Sequence, residues 1–459
     1  MTKFCLRDAI YKKYIQPTRR QRKSYVGVEF ELPLVNLDKQ PVDFSVVHQL
    51  TEAFIRTFSF SIIHRDDRGD IYSAQSPEND DSLSYDCSYN TLELSFGTET
   101  DLHVLYQRFV KYYTFIQAFL KPFHHTLTGM GINPHYGINH NEPIPNGRYR
   151  MLFHHLSSYE KYGEAISFHR YPNFGVFSCA SQVQLDVEED NIAETLNTFT
   201  KLEPLKSLLF ANSLWQEGQE LLCARDMLWE KSLHGYNPRN VGLYDTEFHS
   251  TEEVVSYIQS MSLYCVEKNG KYINFPPTPL EQYFTAEKLT GEYYDGQRYQ
   301  TIDFTPAIED LAYLRSFKLE DLTYRGTVEF RSVCAQPVRD IMAPAAFHAG
   351  LLENLSALTE LLGADTRLYK ERHSPTELRA LLNQRTFPVF FDRAEVSALL
   401  LDVLALAKDG LEKRGLYEAS FLEPLYERAQ NLSSPARQMA EGLEAGVPLE
   451  HFIEDYGKL

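Results

Sequence analysis

Four short stretches of this chain set acids, amides or arginines against an apolar alternation. In Tyr25-Val26-Gly27-Val28-Glu29-Phe30-Glu31-Leu32 the two-residue period of a strand puts Val26, Val28, Phe30 and Leu32 on one face and Glu29 with Glu31 on the other. Asn90-Thr91-Leu92-Glu93-Leu94-Ser95-Phe96 repeats the arrangement with Glu93, and Asp86 lies just upstream. Ser181-Gln182-Val183-Gln184-Leu185-Asp186-Val187 opposes Gln182, Gln184 and Asp186 to three apolar residues, and Gly326-Thr327-Val328-Glu329-Phe330-Arg331 places Glu329 beside Arg331. None of the four offers a Lys. A solvated strand face would mix in Lys and more Thr, whereas acid-bearing faces repel one another unless a cation sits among them. Oxygen donors without Cys or a His cluster suit a hard ion, Mg²⁺ or Mn²⁺. Carboxylates around such an ion, with Arg nearby, are equipment for handling a nucleotide triphosphate.

The familiar phosphate loops are missing. The chain has no GxxxxGK[ST], no GxGxxG after a strand and no kinase-like HRD or DFG set, so ATP phosphates would be held chiefly by metal and Arg on a sheet. His124-His125 and His154-His155 lack an HExxH context and read as ordinary surface or core histidines.

The elements that must position these residues follow from the patterning. From Tyr25 to about Pro337, short apolar alternations interleave with helical stretches such as 100–120 and 189–209, an α+β pattern. The polar, turn-rich run 64–84 predicts an exposed loop or hairpin. After Pro337 the composition turns to Ala, Leu, Glu and Arg at helical spacing over 345–362, 374–383, 394–413 and 421–431. The expected organisation is an N-terminal arm at 1–24, an α+β body at 25–340, and a helical region at 341–459 packed on the same body. The arm ends in Arg19-Arg20-Gln21-Arg22-Lys23 and reads as a solvated lead-in.

Composition bounds the function. The 459 residues carry 45 Lys and Arg against 63 Asp and Glu, a net charge of −18. That balance excludes nucleic-acid binding by phosphate neutralisation and disfavours anionic membranes. No signal peptide or membrane span is expected. The six cysteines form no CxxC pair, which favours reduced thiols in a cytoplasmic setting over a zinc ribbon or disulfide framework. With 29 Phe and 29 Tyr the chain has ample material for a core.

The landmarks together resemble the plant and proteobacterial type of glutamate-cysteine ligase. Val26-Gly27-Val28-Glu29-Phe30-Glu31 is similar to that family's Gly-Thr-Glu-x-Glu strand, Leu92-Glu93-Leu94-Ser95 to its Phe-Glu-Leu-Ser, and Gly129-Met130-Gly131-Ile132-Asn133-Pro134 to its Gly-Met-Gly-Phe-Gln-Pro. Pro145-Asn146-Gly147-Arg148-Tyr149, Cys179 to Asp186, Phe210-Ala211-Asn212-Ser213, Arg225-Asp226-Met227-Leu228-Trp229 and Glu329-Phe330-Arg331 follow in the family's order. The resemblance implies a glutamine-synthetase-like ligase fold, an antiparallel sheet curved around the active site and flanked by helices. It implies an ATP-dependent enzyme that phosphorylates the γ-carboxylate of glutamate and passes it to the amino group of cysteine, a step of glutathione biosynthesis.

By position, Glu29, Glu31, Glu93 and Glu329 would be Mg²⁺ ligands. Gln182 would be a ligand where some relatives have a ligating His, and Asp86 would stand in for a family Glu as a further metal ligand. Arg225 and Trp229 would hold glutamate, Arg148 and Arg331 would serve carboxylate or phosphate, and Gln184 would lie at the nucleotide. Departures concentrate at Ser332-Val333-Cys334-Ala335-Gln336-Pro337 and at 285–305, where they bear on which amine is used. The alternatives are a relative using another amine or a peptide substrate, and a non-catalytic scaffold that binds nucleotide or a partner protein.

Overall fold

The long apolar run beginning at Val26 becomes the central strand of the main sheet. The computed structural model describes residues 6–162, 167–218, 220–369 and 373–459. Nine strands form this sheet: β1 (Val26–Asn36), β2 (Ser61–Arg65), β3 (Ile71–Gln75), β4 (Ser82–Tyr85), β5 (Thr91–Glu99), β6 (His125–Leu127), β7 (Ser181–Asp186), β8 (Glu320–Leu322) and β9 (Thr327–Phe330). Their order is β8-β9-β7-β1-β5-β4-β3-β2, β6 pairs with the distal end of β1, and every pairing is antiparallel. Proline cannot donate to a ladder. Pro33 is tolerated in β1 because pairing with β7 stops at Phe30 and pairing with β6 begins at Leu34.

The predicted apolar faces are all buried. Val28, Phe30, Leu92, Leu94, Val183, Leu185, Val328 and Phe330 lie at 1% exposure or less. Helices cover this side. Phe109 of the helix Leu102–Leu120 packs edge-on against Phe30 at 5.4 Å between ring centroids, and Phe199 of Ile192–Phe210 meets Phe330 at 4.5 Å. His348 of Ala343–Glu353 stacks on the same Phe330. One face of the sheet is thus committed to core, and the acids are left on the other.

The helical tail forms as its periodicity predicts. It includes Ala343–Glu353, Leu355–Gly363, Pro375–Leu382, Arg393–Arg414 and Glu423–Asn431. Two of these cross backbone to backbone: a Cβ on Gly350 would meet the Ala407 carbonyl oxygen at 2.1 Å, and one on Gly410 the Gly350 oxygen at 1.9 Å. A continuous apolar cluster runs from Ile10 through the sheet to Leu432, so the tail shares the core of the body. A second, four-stranded antiparallel sheet is formed by Ser262–Lys268, Lys271–Pro279, Leu289–Tyr294 and Tyr299–Phe304. Among the described residues no helix is long and apolar enough to cross a membrane.

One expectation needs correction. The N-terminal segment is a packed strap rather than a solvated lead-in: Ile10, Tyr14 and Ile15 are buried, Arg22 pairs with Asp186 and Glu353, and the Lys23 amide donates to Asp186. Its basic run has a partner in the acidic end of β7, where Glu188 and Glu189 receive the Arg22 amide and the Arg19 side chain. Residues 1–5, including Cys5, lie outside the described residues. The run 64–84 takes the hairpin form of its expectation, with β2 paired antiparallel to β3 and β3 to β4. It supplies the end of β2 with β3 and β4, and its turns are held by Asp66 and Asp81, both buried.

Candidate active site

Strand register gathers the predicted acids into rows, because residues paired across antiparallel strands project to the same side of the sheet. Ser84, Glu93 and Glu31 form one row. Ser82, Ser95, Glu29 and Gln182 form the next, and Gly27, Gln184, Glu329 and Asp321 the third. Asp321 is new: it lies on β8, which is too short to stand out in the sequence, although the Glu320-Asp321-Leu322 alternation beside Gly326 was a usable signal.

The acids are engaged mainly by amides. Gln182 donates to Glu31 at 2.8 Å, and the Ala180 amide donates to the same carboxylate at 2.6 Å. Gln184 bridges Glu329 at 2.7 Å and Glu29 at 3.2 Å, while its carbonyl faces Arg325 and Thr327. Ser95 and Ser84 donate to Glu93. Arg331 donates to Glu329.

This leaves negative charge short of compensation. Burial, with Asp86 nearby, pushes the Glu31 carboxyl up to about 8, and the same causes raise Glu93 to about 6. Burial raises Glu29 well above the ordinary carboxylate range, reinforced by Glu93 and Glu329, and raises Asp321 to about 7 against the opposing charge of Arg331. Burial also raises Asp86, which Arg148 opposes. Arg331 is itself desolvated, yet Glu329 and Asp321 hold its guanidinium firmly charged.

The donors fit a hard divalent cation in chemistry more than in convergence. All are oxygens, and Gln182 Oε1 is buried with no partner, free to ligate. Among the described residues, however, no three His, Cys, Asp or Glu side chains form a ready-made metal cage. A cation would have to draw Glu29 and Glu329 off Gln184 and Arg331.

Beside the acid face lies a cleft lined by Arg225, Asp226, Trp229, Glu230, Arg331 and Ser332, among others. Arg225 and Trp229 sit one turn apart on the helix Ala224–Glu230. The Arg225 guanidinium donates to the backbone carbonyls of Arg331, Ser332 and Val333 at 3.3 to 3.5 Å, and its Nε is buried without a partner. Trp229 is fixed between Phe317, His234 and Phe174. Arg331 therefore joins the cleft to the acid rows. Arg148 is set apart from this cleft, at the start of the helix Gly147–Ser157, where its charge opposes that of Asp86.

A buried network that the sequence did not reveal supports the cleft from behind. Arg379, from the helix Pro375–Leu382, grips Asp226 with two nitrogens at 2.7 and 3.1 Å and reaches Glu203 at 2.6 Å. Glu203 also receives Lys206 and the Ser332 hydroxyl, and Asn383 donates to Asp226. The only hint in sequence is the i,i+3 spacing of Glu203 and Lys206. Among the described residues all cysteines are free and buried; Cys223 and Cys334 bring their sulfurs to 3.6 Å, a proximity no spacing announces. The two histidine pairs stay outside the site: His154 contacts Glu292 and His124 contacts Asp38.

An antiparallel sheet with one face given to helices and the other to oxygen donors, next to an arginine-bearing cleft, defines the protein as an α+β fold with a candidate polar site on the open face of its sheet. The chain belongs to Glutamate-cysteine ligase family 2 (GCS2), whose model matches residues 25–447. It is 26% identical over 329 residues to the chloroplastic glutamate–cysteine ligase of Brassica juncea and 27% identical over 327 residues to that of Arabidopsis thaliana, covering 68% of this chain in each case. The aligned parts are 57% and 56% of those relatives, so the chain spans little more than half their length. Among solved structures, a bifunctional glutathione synthetase from Pasteurella multocida aligns with 98% of this chain and 52% of its own at 12% identity and a TM-score of 0.47. A glutamate–cysteine ligase from Francisella tularensis in complex with AMP aligns with 96% and 88% at 12% identity and a TM-score of 0.46. Both are too remote to add to the family match.

Proposed function

We propose that this protein is an ATP-dependent ligase that activates the γ-carboxylate of L-glutamate and joins it to the amino group of L-cysteine. The observation that carries the reading is the conjunction of the family match over 25–447 with an acid-rowed sheet that opens, through Arg331, onto the Arg225–Trp229 cleft. In the first step a γ-carboxylate oxygen attacks the terminal phosphorus of ATP and ADP leaves. In the second the amine nitrogen attacks the acyl carbon, phosphate departs with the C–O electrons, and a proton is lost from nitrogen.

Each group on the protein has a part in that sequence. Arg225 offers a planar fork and an unpartnered Nε to the amino-acid carboxylate, with Trp229 bordering the aliphatic chain. Arg331 holds phosphate oxygens in line and is kept in place by Glu329 and Asp321. Glu29, Glu31, Glu93, Glu329 and Gln182 would hold Mg²⁺ or Mn²⁺, and the chemistry it would supply there is neutralisation of phosphate charge. Asp86 and Arg148 close the far end of the acid rows. A reducing compartment such as the cytoplasm suits the unpaired cysteines.

The test is ADP release with ATP and Mg²⁺, first with glutamate alone, then with glutamate plus cysteine or a panel of amines. Turnover that needs both glutamate and cysteine is expected. Turnover with another amine only would overturn the cysteine assignment, and no turnover with any pair would overturn the ligase.

A further inference from the structure

The cleft contains one acid that the proposed reaction leaves unused. Glu230, the last residue of the helix Ala224–Glu230, lines the cleft together with Arg225, Trp229 and Arg331. Its carboxylate has no hydrogen bond or salt bridge among the described residues. The neighbouring acid, Asp226, is fully occupied by Arg379 and Asn383. Glu230 is therefore the free acid of this cleft, as the Arg225 Nε is a free donor.

Space for Glu230 is made by a glycine. Gly242 lines the same cleft at φ +65°, and a Cβ there would stand 2.7 Å from Glu230 Oε1. Burial, with Asp226 adding like charge, pushes the Glu230 carboxyl up to about 7, while Arg379, Lys231 and Lys318 lie near without contact. A half-buried carboxylate without a partner carries a cost, and a cationic ligand group is the partner that relieves it.

We infer that Glu230 receives the ammonium group of an α-amino acid whose carboxylate is held by Arg225, so that the cleft selects zwitterions over plain dicarboxylates. The inference rests on the proposed reading in one respect, that Arg225 takes a substrate carboxylate; it does not need turnover. Opposite charges on one ligand, one met by the unpartnered Glu230 carboxylate and the other by the Arg225 guanidinium, give discrimination because the analogue lacking either leaves a charge in the cleft unmatched.

The test is calorimetric titration of the full chain with L-glutamate, with glutarate, which lacks the amino group, and with the other common α-amino acids. Wild type should prefer L-glutamate to glutarate by about a hundredfold. Glu230→Gln should lose most of that preference by weakening L-glutamate, with glutarate binding changed by no more than about threefold. Glu230→Asp, which keeps the charge on a shorter arm, should retain a preference for the zwitterion and guards against a folding defect in the Gln variant. Equal weakening of both ligands by Glu230→Gln, or no change in L-glutamate binding, would overturn the assignment, as would failure of every α-amino acid to bind. Glu230-dependent binding of a different α-amino acid, with L-glutamate inert, would support the assignment while overturning glutamate as substrate.

Discussion

Two buried groups of acids lie close together in this molecule and are treated oppositely. Behind the cleft, Glu203 and Asp226 are matched by Lys206 and Arg379, and these cations outweigh burial to bring Glu203 down to about 2. Glu320, beside them, takes the opposite course, raised by burial and by the charge of Glu203, so the group closes with its charges balanced. On the sheet face, Glu31, Glu93 and Asp321 rise to about 8, 6 and 7, because amides and one Arg do not neutralise a cluster of this size. The first group behaves as framework and the second as a site. What separates them is the protein's own counter-charge: Lys206 and Arg379 sit directly on the framework acids, whereas the acids of the sheet face are met mainly by amides and Arg331.

Neutralising one member of each group separates the two roles most strongly. Glu329→Gln should lower ligase turnover by about a thousandfold, a size typical of removing a charge-stabilising group from such a site. Its melting temperature should stay at or above that of wild type, since a mutually repelling carboxylate is lost while Asp321 and Glu29 still face Arg331. Arg379→Ala should do the reverse to the framework, costing about 3 to 5 kcal/mol in denaturant unfolding by leaving Glu203 and Asp226 buried without their partner. If the two variants lose stability equally, the distinction between framework and site fails.

The smallest expected effect is on pH dependence. A carboxyl whose folded pKa lies above its unfolded value binds more protons in the folded state, so its contribution is full at low pH and is lost as pH rises. For Glu93, Asp321 and Glu31 that loss runs from the ordinary carboxylate range up through about 6, 7 and 8. Without divalent cations the protein should therefore lose roughly 1 to 3 kcal/mol of stability between pH 5 and pH 8, and Mg²⁺ should reduce that slope. Glu203 adds nothing to it, because its depressed pKa keeps it ionised across the whole interval. A flat melting profile from pH 5 to pH 8 in chelator would contradict the raised carboxyls.

Much of the site is legible in the sequence because strands and helices write their periods locally. The alternation in β1, β5, β7 and β9 by itself sets Glu29, Glu31, Glu93, Gln182, Gln184 and Glu329 opposite a core face. The rows are not legible, since they depend on register between strands far apart in the chain. Asp321 escapes notice because its strand has only three residues, and Arg379 because its partners Asp226 and Glu203 are distant in sequence. The strap misleads for a similar reason: a basic run looks solvated until the acidic end of β7 meets it. Glu230 follows Trp229 directly in sequence and still gives no signal, since an acid at a helix end is ordinary and only its lack of a partner makes it notable.

The strand order also fixes a sequence of events in time. β1 leaves the ribosome well before its neighbour β7 at 181–186, and the segment carrying Glu329 and Arg331 follows later still. Such long-range pairing is slow to close. The acids of β1 and β5 are synthesised well before the arginine that offsets them, so a stalled or shortened chain would hold unbalanced negative charge on an open sheet edge.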